Sequence, residues 1–238
     1  MNKFFGAAML AGAAIAGTAG VAHAEGSFSG SVALTSDYVF RGISQTDNEP
    51  AIQGSLDYSN GIFYAGLWGS SVDFKGYSDY AGTMELDAYV GITPSTGPVD
   101  WDLAVIGYFY PGAQSSLDFD YMEVMVAPSI ALTDSFTLGA AFFYSPEFFG
   151  DTGEAYYYEI NGGFAVTDAF GLSASYGIQD VDDLGGEYAN WSIGASYSLA
   201  GFDLGLTYTD TSDDAQDNWG LPENLTDGRV TFSIGRAL

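Results

Sequence analysis

The residues that could do chemistry in this chain are almost all carboxylates. Asp and Glu number 31 against 5 Lys and Arg, a net charge of −26 at pH 7. There is no cysteine, and the single histidine, His23, lies in an N-terminal stretch expected to be removed. A mature chain without imidazole or thiol is denied Ser-His-Asp and Cys-His nucleophilic catalysis and the usual zinc sites. Carboxylate pairs of the kind an aspartic dyad needs do occur, at Asp100 with Asp102 and at Glu85 with Asp87. A spacing of two residues, though, is an ordinary product of strand alternation, so the chain is read as a non-enzyme. Nucleic acid is excluded as a partner, because binding it needs many Lys and Arg to neutralise phosphates.

The acids make better sense as a lining. Asp57, Glu85, Asp87, Asp102, Glu123 and Glu159 fall on the polar parity of alternating segments. Facing an aqueous interior, they would favour cations; the plainer reading is a hydrated or packed barrel interior. Asp37 and Arg41 share the inward parity near one mouth. Arg41 could narrow the entrance or hold an anionic solute group, but an arginine among so many acids is more readily paired, with Asp57 for example. Arg229, the basic residue on the inner parity of the last segment, is read the same way. These nine are the candidate pore-lining residues. The acidic runs Asp180–Asp183 and Asp213–Asp217 lack the spacing of a calcium loop. They are read as solvated loop charge that divalent ions could bridge to anionic surface lipid. Neither a metal nor a cofactor is expected.

The elements that must position these residues are strands. Residues 1–24 read as a cleaved signal peptide: Lys3, an apolar stretch from Phe4 to Val21, then Ala22-His23-Ala24 at the cleavage site. No later apolar run is long enough for a membrane helix. Twelve alternating segments follow, at roughly 27–39, 51–59, 62–71, 83–93, 99–110, 121–132, 136–145, 154–166, 170–179, 189–199, 202–210 and 228–238. In several of them the alternation is clear; in 83–93 Met84, Leu86, Ala88, Val90 and Ile92 oppose Glu85, Asp87, Tyr89 and Gly91. Pro128, which cannot donate to a ladder, marks a weak point or a bulge in the sixth.

Connection lengths point the same way. Asn60-Gly61 is a strong hairpin signal. Short connections of this kind alternate with long ones, among them Gly42–Pro50, Val72–Gly82, Asp180–Tyr188 and Thr211–Asp227. That is the pattern of a membrane barrel with short periplasmic turns and long outer loops. Lipid cannot hydrogen-bond to the backbone, so a spanning sheet must close. The expected fold is therefore all-β: a transmembrane antiparallel up-and-down β-barrel of about twelve strands over residues 25–238. Tyr38, Tyr58, Trp101, Tyr176 and Tyr208 are expected to form its interfacial belts.

The segments SDYVFRGISQ (36–45), PAIQGSLDYSNGIFYAGLW (50–68), ELDAYVG (85–91) and YFYPG (Tyr108–Gly112) resemble the TorF-type porins of proteobacteria, also described as the Gcw family of outer-membrane proteins of unknown function. The likeness is densest over residues 29–112. It implies a Gram-negative outer-membrane location, contact with outer-membrane lipid and assembly by the barrel-assembly machinery. The terminal strand departs from the common aromatic ending: Val230, Phe232 and Ile234 keep the alternation, Arg236 interrupts it at headgroup level, and the chain ends at Leu238. The leading functional expectation is passive diffusion of small hydrophilic solutes, with cations favoured. The competing one is a non-conducting barrel acting through its long loops.

Overall fold

The computed structural model describes residues 26–74 and 81–238. The leader read over 1–24 and the 75–80 part of one long loop lie outside them. Twelve strands form the wall: β1 (Ser27–Thr35), β2 (Ala51–Asn60), β3 (Phe63–Ser71), β4 (Met84–Ile92), β5 (Val99–Phe109), β6 (Tyr121–Ala131), β7 (Phe136–Ser145), β8 (Ala155–Ala165), β9 (Phe170–Val181), β10 (Gly186–Leu199), β11 (Phe202–Thr211) and β12 (Arg229–Ala237). Each pairs antiparallel with its neighbours in sequence, and β12 closes on β1 from Ser31↔Ala237 to Thr35↔Ser233. Closure leaves no edge, so the ladder satisfies its own polar groups all round. No helix among the described residues is long and apolar enough to cross a membrane.

Alternation sets which way each side chain points. Leu34, Ile52, Leu56, Val90, Ile160, Ile193 and Leu206 project outward and are exposed. The outer surface is thus an apolar band of the kind lipid requires. Tyr58 and Tyr176 also face out, at 37% and 47% exposure; Trp101 and Tyr208 are half-buried on the same face. Tyr38 does not join them. It is only 2% exposed and lies inside the barrel. The reason is that β1 stops at Thr35 rather than near 39, so its parity does not extend to residue 38.

The turns at one end follow local chemistry. Asn60 pairs with Phe63 around Gly61-Ile62, with Gly61 at φ +61°, and Leu199 pairs with Phe202 around Ala200-Gly201, both at positive φ. Both are two-residue hairpin loops whose twist matches the strands. At the other end one expectation fails. The loop read over Asp180–Tyr188 shrinks to Asp182–Gly185, because β9 and β10 keep pairing as far as Val181↔Gly186. This hairpin carries inward-facing Gln179 and Tyr188, each 1% exposed. Two one-turn helices, α1 (Asp214–Asp217) and α2 (Glu223–Thr226), fold within the last loop. Pro128 makes no bulge: it pairs with Trp101 in unbroken β5–β6 register. Pairing with β7 lapses between Ser129↔Gly139 and Val126↔Phe142 and resumes in the same register.

Candidate functional site

The loop from Ser36 to Pro50 folds into the barrel instead of outward. Its tip is a miniature ribbon, Val39–Phe40 paired with Ile43–Ser44. Arg41 and Gly42 occupy the reversal at φ +47° and +88°; positive φ suits glycine and strains arginine. The strain is offset by what Arg41 reaches. Its two terminal nitrogens donate to Glu123 Oε1 and Oε2, each at 2.8 Å, and one of them also donates to Gln179 Oε1 at 2.7 Å. Its guanidinium lies 4.2 to 4.8 Å from the ring centres of Tyr157, Phe40 and Phe143. The Tyr188 hydroxyl donates to the Arg41 carbonyl at 2.9 Å. Burial by itself would loosen the proton of Arg41, but the Glu123 carboxylate more than offsets it and the guanidinium is held firmly charged. The ion pair expected for Arg41 is present, with Glu123 as partner in place of Asp57.

A second pair runs the opposite way. Arg229, on the wall, donates to Asp37 Oδ2, in the loop, at 3.1 Å, and to Asn48 Oδ1 at 2.6 Å. The other Asp37 oxygen accepts from Ser44 and Thr46 at 2.7 and 2.9 Å. Glu123 is on β6 and Arg229 on β12, six strands apart in a ring of twelve. The two pairs therefore tie the loop, as a strap, to opposite sides of the wall: its Gly42 reversal lies against Asn190 and Thr211 of β10 and β11, and the Arg41 side chain reaches on to Glu123.

The strap divides the interior. In the long-loop half the space around it is packed. Thr35, Gln53, Ser70, Glu85, Tyr108, Glu123, Phe143, Tyr157, Gln179, Asn190 and Thr209, one from each of β1 to β11, turn inward and are all buried. Tyr38 donates to Glu85 at 3.1 Å and Tyr108 to Glu123 at 3.0 Å. Burial, reinforced by the Glu85 and Asp87 charges, raises the Tyr38 phenol well above its ordinary range and keeps it a donor. Among the described residues the buried side-chain atoms without a hydrogen-bond partner are Gln53 Oε1, Asp87 Oδ1 and Asn190 Nδ2. All three lie around this packed layer.

The short-turn half is different. Ser55, Ser173, Ser175, Ser192, Thr207, Thr231 and Ser233 are partly exposed there, and so are Asp57, Asp102 and Glu159. Tyr64 donates to Asp102 at 2.6 Å, Tyr89 donates to Asp57, and Asn161 donates to Glu159 at 2.8 Å. This is a polar cup walled by hydroxyls and carboxylates.

The nine candidate residues thus separate into two groups. Asp37, Arg41, Glu85, Asp87, Glu123 and Arg229 belong to the strap and its packed collar, while Asp57, Asp102 and Glu159 face the cup. Sequence reasoning missed Tyr38, Gln179 and Tyr188. The signal for Tyr38 was its place in an aromatic, arginine-bearing stretch with no loop composition. Among the described residues no group of three or more acids, histidines or cysteines is placed to hold a metal ion.

A closed antiparallel wall of twelve strands, apolar outside and polar within, is the architecture of the membrane β-barrels. The chain belongs to the Gcw_chp family, a bacterial protein family of unknown function whose sequence model matches residues 19–238. No curated protein matches it in sequence. Among solved structures it resembles the KdgM porin, with a TM-score of 0.59 at 6% identity over 88% of this chain and 97% of that one. It resembles the NanC porin at TM-score 0.55 and 9% identity, covering 89% and 98%. The toluene transporter TodX of Pseudomonas putida follows at 0.51 and 11%, covering 89% and 88%. At these identities the likeness is one of fold.

Proposed function

We propose that this protein is a porin-type channel of the Gram-negative outer membrane, exported by its leader and inserted by the barrel-assembly machinery. In this reading it passes small hydrophilic solutes by passive diffusion, favours cations, and is closed at the long-loop end by the strap in the conformation described. The observation that carries the reading is the division of the interior. A packed layer the full width of the barrel meets a cup lined by hydroxyls, Asp57, Asp102 and Glu159. A barrel needing only rigidity gains nothing from partly exposed carboxylates beneath its packed layer. The resemblance of the SDYVFRGIS stretch to TorF-type porins supports the same reading.

The test is conductance of the purified protein in planar bilayers, with liposome swelling in sugars and small charged solutes. Conductance steps with cation-directed reversal potentials in a salt gradient are expected, few in the wild type and frequent when the strap is released. A second reading, a non-conducting barrel acting through its loops, is favoured by the completeness of the packed collar. Absence of conductance in both wild-type and strap-released protein decides for it.

A further inference from the structure

We propose that the outer wall at the short-turn end of β9–β12 is a binding site for one anionic phospholipid. The inference rests on the reading that the barrel sits in a membrane and goes beyond it. The starting point is an apolar recess of about 140 Å³, walled by Phe170, Tyr197, Leu204, Leu206 and Phe232 over Ala195. The registers explain it. On the outward face Leu172, Ala195, Leu206 and Phe232 form one cross-strand row, and Phe170, Tyr197, Leu204 and Ile234 the next. Ala195 is the one small side chain among these large ones, and the dent lies over it. A recess of this volume, almost wholly apolar despite Ser196 at its lining and open to the side, takes several methylene groups of an acyl chain.

The second observation is a charge. Leu204 pairs with Ile234, so the following row places Phe202 beside Arg236, two residues or about 7 Å nearer the short-turn end. Arg236 is exposed and lies 5.2 Å from the Phe202 ring centre. Among the described residues the two other cations, Arg41 and Arg229, are spent inside the barrel on Glu123 and Asp37. Among the described residues Arg236 makes no ion pair. In a chain of net charge −26, an exposed guanidinium steadied by an aromatic ring, one row beyond an acyl-sized recess, is where a lipid phosphate would lie when its chain fills the dent. A zwitterionic lipid offers the same chain without net charge, so the class selected is the anionic phospholipids.

Native mass spectrometry from micelles holding equal amounts of phosphatidylglycerol and phosphatidylethanolamine tests this. Wild-type protein is expected to retain one phosphatidylglycerol with about fivefold preference. Arg236→Gln should abolish the preference, Arg236→Lys should keep it, and Ala195→Phe, which fills the dent, should lower retention with the charge intact. Equal retention of the two lipids by the wild type overturns the proposal, as does unchanged phosphatidylglycerol retention in Ala195→Phe. The second criterion holds even if Arg236→Gln fails to assemble. Heat-modifiable gel mobility is read in parallel: its absence refutes the membrane barrel itself, while its presence with equal lipid retention refutes only the lipid site.

Discussion

Tyr64 and Asp102 share a 2.6 Å hydrogen bond although a whole strand separates them. Tyr64 is on β3 and Asp102 on β5, and the ring crosses β4 over Gly91, where a Cβ would stand 2.4 Å from the ring. The neighbouring pair is its mirror: Tyr89, on β4, crosses Gly66 on β3 to reach Asp57 on β2, and a Cβ at Gly66 would stand 2.6 Å from the ring. On the other side of the barrel Tyr157 crosses Gly177, whose Cβ would fall 2.2 Å from the hydroxyl, and donates to Asn190 at 3.2 Å. Each tyrosine thus ties three strands together.

Gly91→Ala and Gly66→Ala should therefore destabilise the barrel although neither glycine has positive φ. The ring must lift off its neighbour and lose its distant acceptor. The expected cost is about 1–3 kcal/mol each, as for other overpacked sites. Tyr64→Phe, which keeps the ring and removes the hydroxyl, should cost about 1 kcal/mol. Urea unfolding in micelles or vesicles, followed by tryptophan fluorescence, measures all three. Alanine variants as stable as the wild type would show that the rings are not held where they lie.

The Arg41–Glu123 pair should behave as a buried bridge. Removing one partner, as in Arg41→Ala or Glu123→Leu, leaves the other charge unpaired in a packed layer and should cost about 3–5 kcal/mol. Replacing both, as in Arg41→Met with Glu123→Leu, should recover most of that loss. The single variants should also conduct more often than the wild type, because the strap loses one anchor. Unfolding midpoints and single-channel recordings check the two halves separately. Lost stability without altered conductance would make the bridge structural only.

The wall was legible in the chain because two independent periodicities agree: the parity of two along each strand, and the alternation of short and long connections. Both have physical causes that act locally, the pleat and the membrane. The strap was not legible. Reading parity onward from Leu34 through Ser36 placed Tyr38 outside, although the chain leaves the ladder at Thr35 and reverses at Arg41 and Gly42. Arg41 was expected to be paired, but its partner lies 82 positions away in sequence. Which acid it meets depends on how far the loop reaches across the lumen, and no local pattern encodes that reach. The β9–β10 hairpin was misread for a related cause. Asp180, Asp182, Asp183 and Glu187 have the composition of a solvated loop, yet the buried inward partners Gln179, Val181 and Tyr188 keep the strands together.

The strap should act as one unit. Asp37 and Arg41 are anchored to different strands and share no side-chain partner, and independent sites would add within about 0.3–0.5 kcal/mol. If the loop between them moves as a body, releasing one end lowers the cost of releasing the other. Asp37→Asn combined with Arg41→Ala should then fall short of the sum of the single losses by more than about 0.5 kcal/mol. A double-mutant cycle on unfolding free energy reads this directly. Strict additivity would mean two independent latches, and opening at one wall would leave the other half of the collar shut.

Cation preference should reside in the cup. With the strap released by Arg41→Ala, neutralising Asp57, Asp102 and Glu159 as Asn, Asn and Gln removes three charges from the lining and keeps their hydrogen-bond acceptors. A unit charge about 4 Å from a passing ion in water is worth about 1 kcal/mol, so the cation-to-anion permeability ratio should fall severalfold. The reversal potential should then move toward zero. The wild-type lining carries a second signature. The screening length shrinks from about 10 Å at 0.1 M salt to about 3 Å at 1 M, so the preference of the strap-released protein should weaken steeply across that range. In the neutralised variant little preference remains to lose, and its ratio should change little with salt. A neutralised cup that kept both the preference and its salt dependence would place selectivity in the acidic loops at the mouth.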